Sequence, residues 1–212
     1  MDFPRSEAAP RRRAARSDAI RNRNRILDAA QRVFAEHGID APLDVVAREA
    51  GIGPATLYRH FPNRNALLVG IHAAVNDRVA ESAERALDEP DAWTGLAEFL
   101  ERATDVLQSG PSLLAIGRRL AEEGIQARSD ERAHGAIDQI VARAKEAGAV
   151  REEVTATDVA LIPHALRELG ADDAWARPFA FVLAGLRPAE GEPVEPRRGP
   201  LSAEEYAGLF RG

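Results

Sequence analysis

Apolar residues recur at helical spacing along most of the chain. Ile26, Ala29, Ala30, Val33 and Phe34 stand at positions 0, 3, 4, 7 and 8 of one amphipathic stripe, and Gly38 supplies a stop. This pattern predicts a first helix over 18–37. Leu43, Val46, Ala47 and Ala50 repeat the spacing in a shorter helix that ends at Gly51, where a tight turn needs positive φ or close backbone approach. Gly53-Pro54 opens the next helix, with the proline near the first position, where its missing N–H costs nothing. Leu57 and Phe61 are its inward pair, leaving Ala55, Thr56, Tyr58, Arg59 and His60 for the flanks and the exposed face. Leu68, Ile71 and Val75 then start a long helix over about 65–87, with Asn63 or Asn65 as candidate cap.

The remainder reads the same way. Trp93, Leu96, Ala97, Leu100, Thr104 and Leu107 mark a helix ending near Gly110, and Pro111 starts another running to about Ala127. Ala133, Ile137, Ile140, Val141 and Ala144 mark a helix that stops at Gly148. Thr155 or Thr157 can cap the next, which carries Val159, Ile162, Leu166 and Leu169 and should be kinked by Pro163. Trp175, Phe179, Val182, Leu183 and Leu186 form a last stripe. Prolines and glycines from Pro188 onward read as a linker, with one terminal turn of helix over 202–210. No stretch alternates persuasively, so the predicted fold is all-α. The expected division is a disordered arginine-rich arm (1–17), a helix-turn-helix head (18–64), a helical body (65–187) and a tail (188–212).

Charge sharpens this division. Residues 1–70 hold 12 arginines against 8 acids, a net +4, while the rest nets −10. Positive charge gathered at one end of an acidic chain suits a nucleic-acid-binding head on an acidic body. An arginine-rich tail alone is more often a solvated segment; directly before such a head it becomes a phosphate or minor-groove arm. Absence of cysteine removes disulfides, thiolate–zinc sites and thiol chemistry, and fits a reducing compartment. The longest apolar run, 179–186, is too short to span a bilayer, and no apolar segment follows the basic N-terminus. A cytoplasmic protein without membrane contact is the expectation.

Catalytic chemistry finds little support. No histidine lies near a nucleophile at a suggestive local spacing. Glu131-x-x-His134 places a carboxylate and an imidazole on one face, but a di-iron bundle needs a second copy, which is absent. No glycine-rich phosphate loop occurs. Neither a metal nor a cofactor is expected, nor is enzyme activity.

Four segments at consistent spacings, Arg25-Ile26-Leu27-Asp28-Ala29-Ala30, Val33-Phe34-Ala35-Glu36-His37-Gly38, Val46-Ala47-Arg48-Glu49-Ala50-Gly51 and Thr56-Leu57-Tyr58-Arg59-His60-Phe61, resemble the N-terminal domain of TetR-family transcriptional repressors. The resemblance spans roughly 21–68. It implies a homodimer that lays one recognition helix per subunit into the major groove of a palindromic operator and is released by a small-molecule effector. It further implies that Thr56, Tyr58 and His60 contact the DNA backbone, while Arg59 and the helix start, with Ala55, meet base edges. Gly53 and Pro54 lie where free N–H groups and the helix dipole favour phosphate. Arginine is the commonest reader of guanine, which makes Arg59 the first candidate for specificity. Against this, Tyr58 can instead pack on the first helix, and His60 can end a solvated turn.

The chain departs from the family at two places. Pro42-Leu43-Asp44 stands where a threonine or serine commonly caps the first helix of the motif. Arg64 replaces a usual lysine and is expected to meet phosphate.

In the body the resemblance implies an effector pocket and a dimer interface. Pocket candidates are Trp93, Phe99, Arg118, Arg119, His134 and His164; each taken singly is better explained by core packing or solvent exposure, and Arg118-Arg119 can pair with Glu122 and Glu123. The stripes Val159, Ile162, Leu166, Leu169 and Trp175, Phe179, Val182, Leu186 suit a four-helix interface between subunits. They suit an intramolecular core equally well. Two rival readings are a regulator controlled by a protein partner and, less favoured, a helical-bundle enzyme.

Overall fold

A computed structural model describes residues 8–125, 131–169, 174–188 and 198–209. Among the described residues there are ten helices and no strand: α1 (Ala8–His37), α2 (Leu43–Glu49), α3 (Pro54–His60), α4 (Arg64–Leu87), α5 (Ala92–Gln108), α6 (Leu113–Glu122), α7 (Glu131–Glu146), α8 (Ala156–Arg167), α9 (Ala176–Leu186) and α10 (Ala203–Leu209). The all-α expectation holds.

One boundary is corrected. α1 begins at Ala8, ten residues before the predicted start, so helical backbone takes in most of the expected disordered arm. Alanine and arginine are strong helix formers, and Pro10 sits in the first turn, where it displaces no intrahelical bond. The rest of that arm, Arg5 included, lies outside the described residues, as do Gln126 and Ala127 and most of the predicted linker.

Local chemistry sets the other ends. Asn63, not Asn65, caps α4, its side chain accepting from the Ala66 N–H at 2.8 Å. Thr155, not Thr157, caps α8 in a reciprocal box with Asp158. Gly124, at φ 70°, follows α6, which therefore closes at Glu122 rather than near 127.

Packing produces two cores. The first joins α1, α2, α3 and the N-terminal half of α4 with Val106 and Leu107 of α5 and Leu113, Ile116 and Leu120 of α6. The second joins the distal half of α4 with α5, α7, α8 and α9. α4 is thus shared, and α6 packs with the head although it follows the head by fifty residues.

The second core corrects five of the interface residues. Val159, Leu166, Trp175, Phe179 and Leu186 are all buried within the single chain, so they build its interior and are not free to meet another subunit. Trp175 and Phe179 meet edge-on with ring centroids 5.3 Å apart, and the Arg151 N–H binds the Leu186 carbonyl at 3.0 Å, closing the end of α9 onto the α7–α8 connection. Ile162 and Val182 are half-buried, and Leu169 is exposed.

Candidate nucleic-acid interface

The head is built around small residues. Ala47 and Ala50 are buried on the inner face of α2, and the Ile52 N–H returns to the Ala47 carbonyl at 3.0 Å. That return passes through Gly51 at φ 65°, a conformation costly for any residue with a Cβ. Arg25 of α1 donates from Nη2 to the Ala50 carbonyl at 2.8 Å, satisfying the open end of α2 from outside. Arg32 and Glu49 form an exposed 3.0 Å pair between the same two helices.

The crossing presents α3 outward. Gly53 precedes it in extended conformation, Pro54 occupies its first turn, and Leu57 (buried) and Phe61 (buried) anchor its inner side. Gly53, Pro54, Ala55, Tyr58 and Arg59 are exposed, and Thr56 is half-buried at the flank. Tyr58, 47% exposed, does not pack into the head, so the reading in which it packs on the first helix does not hold. His60 is half-buried, and its Nε2 is enclosed without a hydrogen-bond partner among the described residues. That nitrogen faces the protein, so any DNA contact by His60 must use the rest of the ring.

Arg64 departs from expectation. It is half-buried, its Nη1 donates to the Ile39 carbonyl at 2.5 Å, and its guanidinium lies 5.7 Å from the Phe34 ring centroid. The side chain ties α4 to α1 and the α1–α2 connection through that carbonyl and ring. A comparable contact is made by Arg23, 4.7 Å over the Phe61 ring.

The pocket candidates of the body do not converge. Phe99 is fully buried in the second core, and Arg118 is exposed. Arg119 pairs with Glu122 and Glu123 along α6, at 3.5 and 3.3 Å. Trp93 lies at the start of α5 under Arg187, whose guanidinium is 4.1 Å from its ring. His164 belongs to the other end: one turn beyond it, Arg167 reaches the Leu107 and Gly110 carbonyls. The α5 residues between Trp93 and Leu107 span ~21 Å of helix, which separates Trp93 from the end where His164 lies. His134 is half-buried on α7.

His164 has an altered acidity. Burial first, then the positive fields of Arg167 and His72, pull its imidazole down from the ordinary range to about 4. His72 was not singled out by sequence, although its spacing from Leu68 and Val75 puts it on the inward stripe of α4; it is 8% exposed and its Nδ1 lies 3.1 Å from the Asn76 amide nitrogen. Among the described residues no group of three or more histidine or acidic side chains could hold a metal, and no helix is long and apolar enough to cross a membrane.

A helix-turn-helix head on a helical body defines a class of DNA-binding regulators, and similarity to known proteins gives the family. Residues 26–71 match the model of bacterial regulatory proteins of the tetR family, and residues 89–188 match an SbtR-like transcriptional regulator C-terminal domain. The structure is similar to the TetR transcriptional regulator SCO0520 from Streptomyces coelicolor (31% identity, TM-score 0.63), covering 78% of this chain and 98% of that one. A TetR regulatory protein from Mycobacterium vanbaalenii aligns at 29% identity and TM-score 0.62, covering 82% and 99%. The HTH-type transcriptional regulator SAB2452 of Staphylococcus aureus is 45% identical over 53 residues, 24% of this chain; the chain spans 29% of that relative's length. The chain belongs to the TetR family of transcriptional regulators.

Proposed function

We propose that this chain is a repressor that binds a palindromic operator as a homodimer and leaves it when a small molecule enters the body. The observation that carries the reading is the outer surface of α3, where Arg59 and Tyr58 stand exposed on a helix held from behind by Leu57 and Phe61. A rigid support with a free guanidinium and phenol is what reading base edges and phosphates requires. Residues Gly53, Pro54, Ala55, Thr56 and part of His60 complete the surface, whereas Arg64 braces it.

Dimerisation uses the outward side of α8 and α9 in this reading. Phe181 is 65% exposed and Leu169 46%, and Ala165, Ala180 and Ala184 are exposed beside them. Large apolar side chains among alanines allow two helix pairs to approach closely, and a two-fold arrangement sets the recognition helices about 34 Å apart, one turn of DNA. Ile162 and Val182 lie at the edge of that face.

The test is a gel-shift and anisotropy titration of the full chain on the DNA upstream of its own gene. Affinity should fall steeply as salt rises, because bound counterions are released from phosphate. A salt-independent response, or no shift at all, removes the reading.

A further inference from the structure

The two cores meet at Val79, which packs against both, and polar side chains gather near that junction. His72 and Asn76 are hydrogen-bonded on α4, Gln108 ends α5, and His164 and Arg167 come from α8. Arg167 links α8 to the α5–α6 corner. Its Nε donates to the Leu107 carbonyl at 2.9 Å and its Nη2 to the Gly110 carbonyl at 2.7 Å, while Nη1 stands 3.5 Å from the carboxylate of exposed Glu168. The inner side of the guanidinium therefore meets neutral carbonyls.

The same place is rich in donors and positive in character. Arg167 and His72 both act on His164 as positive charges. The Gln108 Nε2 is enclosed with no acceptor among the described residues. This lies inside a body whose net charge is strongly negative. Buried polar atoms left without partners are uncommon, and this one, on the residue that follows Leu107, whose carbonyl accepts from Arg167, marks a place where an acceptor fits.

We propose that this junction binds the carboxylate of a small acid with an apolar tail, held by Arg167 with His164 and the Gln108 amide, the tail lying against the adjoining cores. Arginine matches a carboxylate with two parallel hydrogen bonds, and apolar surroundings strengthen that attraction by excluding water. Binding would draw Arg167 off the α5–α6 corner. That corner leads into Leu113, Ile116 and Leu120, which belong to the head's core, so its release alters the seat of the head. The ligand thereby favours one head position by differential affinity. This inference rests on the effector-controlled reading above and names the effector's chemical class.

The experiment uses octanoate as probe, with octanamide and octylamine of matched tail, on the full-length protein. Octanoate should raise the unfolding midpoint and bind at least tenfold more tightly than the amide, with the amine inactive. Arg167→Gln should lose tenfold or more in octanoate affinity, and Arg167→Lys should recover part of it. Should Arg167→Gln fold poorly, the ring resonances of His164 in the unaltered protein provide a second readout and should move on octanoate addition. No octanoate binding, equal binding of acid and amine, or unmoved His164 resonances overturns the proposal. A protein that shifts its DNA yet ignores octanoate defeats this inference alone. One that binds octanoate but no DNA defeats the regulatory reading and leaves the site standing.

Discussion

The guanidinium of Arg64 lies over the ring of Phe34, 5.7 Å from its centroid, and by the same reach satisfies the carbonyl of Ile39. A residue at the end of a DNA-reading motif is thereby committed to holding α1, the α1–α2 connection and α4 together. Arg64→Ala should lower head stability by about 1–3 kcal/mol, through a lost charge-assisted hydrogen bond and cation–π contact. Arg64→Lys should recover only part of this, since lysine lacks the planar fork. Chemical denaturation of the three proteins checks it, and an unchanged midpoint for Arg64→Ala would show that the contact contributes nothing.

Arg59 has the opposite character. It is exposed and Arg59→Ala should leave stability within about 0.5 kcal/mol. Its loss should instead narrow the gap between operator and non-operator DNA by about 1–3 kcal/mol, the worth of one bidentate base contact. Competition binding measures this gap. An equal loss on all sequences would reassign Arg59 to phosphate.

Gly70 lets α4 pass close behind the recognition helix. A Cβ there would stand 2.8 Å from Phe61 Cε1 and 3.1 Å from Leu27 Cδ2. Gly70→Ala should therefore destabilise by about 1–3 kcal/mol despite alanine's better helix propensity, and should weaken DNA binding by displacing Phe61 from under α3. Gly135 in α7 is the control, since nothing lies within 4 Å of its added Cβ. Gly135→Ala should stabilise by roughly 0.5–1 kcal/mol. Thermal melts of both variants decide whether close packing, rather than backbone propensity, governs Gly70.

His164 predicts a pH dependence. Its folded pKa, near 4, lies below the unfolded value of 6.5, so the unfolded chain binds the extra proton between those limits. Stability is accordingly full above about pH 6.5 and declines as pH falls toward 4. The loss should be on the order of 1–3 kcal/mol at the acid end. Replacing the imidazole in His164→Phe should flatten the dependence of the unfolding midpoint across this window relative to the unaltered chain. Parallel curves for the two proteins would contradict the assignment.

Phe181 tests the proposed interface without touching the core. Phe181→Glu puts a charge on a side chain that is 65% exposed, so the monomer should fold as before. Light scattering should then report a shift from dimer to monomer, and operator affinity should drop because two half-sites no longer bind as a unit. A dimer that survives the substitution places the interface elsewhere.

The head was legible in the sequence because its signals are local. Helical period, Gly38, Gly51 and Pro54 each act through a few neighbouring residues, and the structure places α2 and α3 where that spacing predicts. The outward position of Arg59 and Tyr58 follows once Leu57 and Phe61 are assigned inward. α1 was read too short, because the spacing rule looks for an apolar stripe and the segment before Asp18 is a helix made of alanine and arginine.

The body was less legible for a definite reason. α8 carries Val159 and Leu166 on its buried side while Leu169, just beyond its end, is exposed, and α9 carries Phe179 opposite Phe181. Periodicity identifies apolar faces but does not rank two of them, and the choice depends on which neighbouring helix arrives. The sequence by itself determined an all-helical chain with a basic reading head. Tertiary packing alone decided that Arg64 turns inward, that His72 comes near His164, and which side of α8 and α9 remains for another subunit. Those outcomes depend on contacts between segments far apart in the chain, whose energies no short window of residues contains.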